Sequence, residues 1–171
     1  MTMKEFGMVQ SVYGAVYVLY AHFFICGGLD WSFDGIDDSA DRLLRAGNGM
    51  VVVSAATDSS AAGVSIHVHN SEPAALDPSI WERGDEITVH FDGPVYLLTQ
   101  LFERGLGLSD PLVKFELTAR TWHIRCHVRG RREASSLGVA GDLPTWDEAA
   151  ARDPATFPEQ FLIEFWPASD K

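Results

Sequence analysis

The chain has 171 residues, enough for one domain with a substantial core and no help from disulfides or metal. Hydrophobic residues make up 46% and charged residues 22%, which are globular proportions and exclude a disordered chain. Asp and Glu number 24 against 13 Lys and Arg, a formal charge of -11 that disfavours nonspecific nucleic-acid or anionic-membrane binding and suits a basic partner.

Phe6 to Leu29 carries no charged residue and is long enough to span a bilayer. It is interrupted by Gln10, Ser11, Tyr13, Tyr17, Tyr20 and His22, and no basic region precedes it, so neither a signal peptide nor a membrane span is expected. Its Val, Tyr and Phe enrichment predicts core strands over Val12 to Cys26, as one long strand or two short ones with a bend at Gly14. Asp30 to Asp41 is an acidic connection, with a short helix expected from about Ser39 to Ala46 and ended by Gly47-Asn48-Gly49. Met50 to Ala55 reads as an apolar strand, and Val64, Ile66 and Val68 alternate with polar residues as a half-exposed one.

A loop with Pro73 and Pro78 follows, and then Ile87, Val89 and Phe91 alternate again. Asp92-Gly93 predicts a hairpin into a strand at Val95 to Thr99. Gln100 to Asp110 reads as a loop, and Val113, Phe115 and Leu117 form the next alternating set. The clearest strand is Thr121 to Gly130, in which Trp122, Ile124, Cys126 and Val128 alternate strictly with His123, Arg125, His127 and Arg129. Arg131 to Pro158 reads as the longest irregular stretch, with a capping box at Thr145 to Glu148 before a short helix. Phe161, Ile163 and Phe165 make the last alternating strand.

About eight strands, frequent turns and only one or two short helices predict an all-β fold. The expected architecture is a single antiparallel, jelly-roll-like β-sandwich over residues 1–171. Cys26 and Cys126 fall in apolar strands and are expected as buried free thiols.

Three constellations could carry function. Asp30, Asp34, Asp37, Asp38 and Asp41 surround Trp31 and Phe33, a composition suited to protein docking because aromatics anchor interfaces and carboxylates steer basic partners. The same aromatics could instead plug the end of the core. The outward row His123, Arg125, His127 and Arg129 could meet an anion or a partner, or could pair with Glu86, Glu116 or Glu164 on neighbouring strands. His67 and His69 share a strand face and, with His90, form an alternative metal site. No nucleophile elbow, phosphate loop or dinucleotide fingerprint is present, and no cofactor is expected.

The segments VYVLYAHFFI, LDWSFDGIDDSADRL and GNGMVVVSA occur here in order. With these, the chain resembles the small β-proteins of the competence protein J nuclease-inhibitor family. WHIRCHVRGRREA and EQFLIEFWPA are similar to uncharacterised β-rich proteins of actinobacteria. The resemblance implies a non-catalytic, cytoplasmic, immunity- or nuclease-inhibitor-like protein. Its acidic surface would stand in for nucleic-acid phosphates and bind a basic nuclease or toxin. The alternatives are a metal-binding sandwich or metalloenzyme on His67, His69 and His90, and an assembly subunit that buries its N-terminal strand against copies of itself.

Overall fold

The computed structural model describes residues 8–18, 20–28, 31–36, 41–58, 60–98, 113–115, 117–118, 120–143 and 152–169. The expected loop at Gln100 to Asp110 and the capping box at Thr145 to Glu148 lie outside them. Ten strands are present: β1 (Met8–Val18), β2 (His22–Gly27), β3 (Leu44–Gly47), β4 (Met50–Ser54), β5 (Ser60–His69), β6 (Arg83–Phe91), β7 (Val95–Leu98), β8 (Val113–Phe115), β9 (Arg120–Arg129) and β10 (Gln160–Pro167). A helix, α1 (Arg131–Ala140), and a 3₁₀ turn (Pro154–Thr156) complete the described elements.

The strands form two five-stranded sheets, β1-β5-β10-β9-β6 (sheet A) and β3-β4-β2-β7-β8 (sheet B). The all-β sandwich is therefore as expected. One pair departs from the antiparallel rule: β10 runs parallel to β5, because the last strand returns between β5 and β9. The two sheets close on one core. Val16, Val64, Ile66, Phe161, Ile163, Trp122 and Ile124 from sheet A face Phe23, Ile25, Val51, Val53 and Leu97 from sheet B. Phe23 and Phe161 meet edge-on across the sandwich with ring centroids 5.1 Å apart. Cys26 and Cys126 are buried free thiols, and burial pushes Cys26 up to about 12.

Several local expectations are corrected. The uncharged N-terminal run forms two strands, and its break falls at Tyr20 and Ala21, both at positive φ, where the chain crosses from sheet A to sheet B. The helix expected to about Ala46 is instead β3 over Leu44–Gly47. Asn48-Gly49, read as a helix terminator, is the two-residue turn of the β3–β4 hairpin, with Gly49 at φ 63°. Asp92-Gly93 does not close a hairpin, because β6 belongs to sheet A and β7 to sheet B. There Gly28 donates its N–H to the Pro94 carbonyl at 3.0 Å, and two glycines let the crossing backbones touch. The stretch after Gly130 is not irregular throughout, since α1 occupies its start. Among the described residues no helix is long and apolar enough to cross a membrane.

Candidate functional site

Both outer faces of the sandwich are covered in part by a loop, and the predicted functional residues divide between them. On sheet B, residues 31–36 lie across the outer face. Trp31 and Ile36, like Phe24 and Tyr96, pack on Cys26, Met50 and Val52, so Trp31 is half-buried and covers that face. The segment is pinned where Ser32 N–H donates to the Asn48 carbonyl at 3.0 Å, and it turns back where Ile36 N–H donates to the Phe33 carbonyl at 3.1 Å.

That turn leaves Phe33 outside. Its side chain is 56% exposed yet held in place, with its ring edge-on to Phe24 at 6.2 Å. Asp34 beside it is exposed, and its carboxylate accepts from the Ser32 hydroxyl at 2.9 Å. Asp41 stands elsewhere: Arg83 donates to its carboxylate at 3.2 Å and also to its carbonyl, which ties it to the edge of sheet A. Asp30, Asp37 and Asp38 lie outside the described residues. Sequence patterning thus groups Trp31, Phe33, Asp34 and Asp41, whereas the structure brings only Phe33 and Asp34 together at the surface above Trp31.

On sheet A, residues 71–82 form a strap over the outer face, and the row His123, Arg125, His127 and Arg129 holds it. Arg125 donates to Glu72 at 2.9 Å, to the Pro73 carbonyl at 3.3 Å and to Glu86 at 3.2 Å, and it also stacks on the Trp166 ring at 4.7 Å. His123 stacks on Trp166 at 5.4 Å and shares a hydrogen bond with Thr88. His127 and Arg129 hold Trp81 between them, the first by ring contact at 5.8 Å and the second by a cation–π contact at 5.4 Å. Most of the row is therefore engaged within the molecule, and Arg129 is its exposed member.

Beneath the strap lies Glu164, one of the carboxylates expected to pair with the row, and it is buried where alternation placed it on the outward side. Glu164 is 3% exposed. His69 Nε2 stands 3.4 Å from one of its oxygens and His127 Nε2 3.8 Å from the other, and neither approach makes a hydrogen bond. Burial raises the Glu164 carboxyl, opposed by Arg125, and lowers both imidazoles, with Arg125 adding to that lowering. The two histidines come from strands on either side of β10, one level with Trp166 and one level with Leu162, so they reach Glu164 from opposite directions. An open cleft of about 480 Å³ adjoins His69 and is lined by Ser71, Glu72, Pro73 and Ala74.

The histidines proposed as metal ligands do not converge. His67 and His69 lie on β5, while His90 lies on β6, with β10 and β9 between them, and it bonds Asp92 at 2.9 Å and Thr121 at 3.2 Å. Among the described residues no group of three or more His, Cys, Asp or Glu side chains is placed to hold a metal ion.

A third cluster forms at the start of α1. Glu82 accepts from the N–H groups of Gly130 and Arg131 at 2.9 and 3.2 Å, capping the helix from another element. Buried Glu159 accepts from Ala56 N–H at 3.0 Å and lies 3.4 Å from the Arg131 guanidinium. Burial pushes its carboxyl up to about 7, although those two partners pull it down. The nearby groove is lined by Arg83, Arg131 and Arg132 together with Glu82, so its cations stand beside acids of the same molecule.

These features define a two-sheet β-sandwich whose faces are dressed by loops, with a fixed exposed aromatic on one face and a strapped basic row on the other. The same architecture occurs in ComJ, the inhibitor of the DNA degrading activity of NucA from Bacillus subtilis. Its structure matches with a TM-score of 0.59 at 13% identity, over 95% of this chain and 100% of that one. A structure described as crocagin biosynthetic gene J matches with a TM-score of 0.52 at 9% identity, over 94% of this chain and 98% of that one. The fold resemblance read from the sequence is thus matched in three dimensions. No family model matches the chain, and no curated protein matches it in sequence.

Proposed function

We infer that the chain is a non-catalytic, cytoplasmic binding module of the nuclease-inhibitor type, which docks a basic protein against its Asp30 to Asp41 segment. Phe33 carries the reading. An aromatic side chain that is more than half exposed but already fixed on Phe24 loses little freedom on binding, and this is the property of an interface anchor. Asp34 stands beside it, the chain carries -11, and residues 31–36 are seated on sheet B by Trp31 and Ile36. The likeness in fold to ComJ, an inhibitor of a DNA-degrading activity, supports a nuclease as the partner class.

The test is affinity capture from an extract of the source organism, with the wild-type chain and a Phe33→Ser, Asp34→Asn variant immobilised side by side. The wild type is expected to retain a basic protein that salt releases and the variant loses. Equal retention by the two chains, or no basic protein on either, would overturn the docking surface.

A further inference from the structure

Three buried polar atoms under the strap on sheet A have no hydrogen-bond partner among the described residues: His69 Nε2, His127 Nε2 and one carboxylate oxygen of Glu164. An orphaned buried group costs stability, so a cluster of three calls for a physical reason. Strand order sets the arrangement. His69 on β5 and His127 on β9 flank Glu164 on β10, and each imidazole side chain is only 15% exposed.

The cover is residues 71–82, which have neither strand nor helix and are fastened to the sheet by side chains. Arg125 bonds Glu72 and the Pro73 carbonyl, and Trp81 rests against His127. Beside His69 the cover is incomplete, and the cleft lined by Ser71, Glu72, Pro73 and Ala74 reaches the imidazole.

While the strap is closed, desolvation lowers both imidazoles. Arg125 adds to this for each, and His67, with its ring 6.1 Å from that of His69, adds to it for His69. Other charged or titratable groups on the elements around the cluster are Tyr13 on β1, Glu86 on β6, Arg129 on β9, and Glu72 and Glu82 on the strap. Of these, Glu72 and Glu86 are engaged by Arg125.

Opening the strap gives the imidazoles water and returns them toward their ordinary affinity for protons, so opening takes up protons as the medium is acidified. Groups lowered in the closed form hold it closed above their ordinary 6.5, and that hold is lost as pH falls through their closed-state values. Glu164, raised by burial, acts in the opposite sense, and two imidazoles stand against its one carboxyl.

We propose that residues 71–82 are an acid-released lid: protonation of His69 and His127 opens the strap, frees Arg125 from Glu72 and Pro73, and widens the cleft beside β5. The device lies on sheet A and does not rest on the reading of the Phe33 segment.

Hydrogen exchange of the 71–82 amides, corrected for intrinsic rates, reads the opening at about pH 7.5 and about pH 5.5. The wild-type strap is expected to open about tenfold more readily at the lower pH, with β9 and β10 unchanged. In a His69→Gln, His127→Gln variant that pH response is expected to vanish. A Glu72→Gln variant loses a fastening but keeps both imidazoles, so it is expected to open more at both pH values and to retain the response. Titration of the His69 and His127 imidazole signals in the wild type, expected below the ordinary range and in step with strap exchange, gives a reading that needs no variant. A wild-type strap that opens no more readily in acid, an equal response without the two histidines, a response lost with Glu72, or imidazoles that titrate at the ordinary value would each overturn the proposal.

Discussion

Glu159 shows how one side chain links burial, hydrogen bonding and pH. It sits almost fully inside the protein, between the Ala56 amide and Arg131, and its carboxyl is raised to about 7 from an ordinary 4.5. A carboxyl raised in the folded state contributes stability that is complete below its unfolded value and is lost as pH rises through its folded one. Between those values the ionised form carries a desolvation cost that the two partners only partly offset. A Glu159→Gln variant cannot ionise and has no such slope. Its stability relative to wild type should therefore increase from about pH 5 to about pH 8, by up to about 3 kcal/mol. Urea unfolding at the two pH values checks this, and a difference that stays flat or shrinks would show that Arg131 fully compensates the charge. Glu164 has the same origin but a different company, because its neighbours are imidazoles that burial keeps toward their neutral form. Asp85 runs the other way. Burial alone would raise its carboxyl, yet Arg42 and the Leu44 and Glu86 amides outweigh it and hold the group below the ordinary range.

At the scale of elements, each sheet has an outer loop fastened by side chains that alternate away from the core. For the strap over sheet A the fastening is Arg125, with three hydrogen-bonded partners, two of them on the strap. Arg125→Met keeps an apolar stem on Trp166 but removes those bonds. The 71–82 amides are then expected to exchange faster, corresponding to about 2 kcal/mol of local opening, with β9 and β10 little changed. Unchanged exchange in the strap would assign its hold to Trp81 instead.

The strands that form this scaffold were legible because period-two alternation directly reports which side meets the core, as Trp122 to Val128 and Phe161 to Phe165 show. What alternation cannot report is what covers the other side. β10 is buried on both faces, so Leu162 and Glu164, which alternate with the core-facing Phe161, Ile163 and Phe165, are inside as well. Helix α1 escaped notice because it buries only Ala134 and so has almost no apolar stripe. Gly141 and Asp142, whose amides return to the Gly138 and Leu137 carbonyls, were its one sequence signal, a C-terminal cap. Asn48-Gly49 was visible, but it fits a helix end and a hairpin turn alike, and the decision lay with β4 as pairing partner. The exposed pair Phe33 and Asp34 was legible as part of an acidic aromatic segment. Its separation from Trp31 was not, since that depends on the apolar outer face of sheet B.

The whole molecule is an acidic sandwich that carries an aromatic and acidic segment on the outer face of sheet B, and it is this segment that is proposed to meet a basic partner. Nuclease inhibition, as proposed for this chain, is measured directly as DNA degradation by the basic fraction that the immobilised chain retains. After elution with salt, that fraction is expected to degrade DNA. Added free wild-type chain is expected to suppress the activity at equimolar amounts, and the Phe33→Ser, Asp34→Asn chain is expected to leave it running. A retained fraction without DNA-degrading activity, or an activity that the wild-type chain does not slow, would rule out nuclease inhibition.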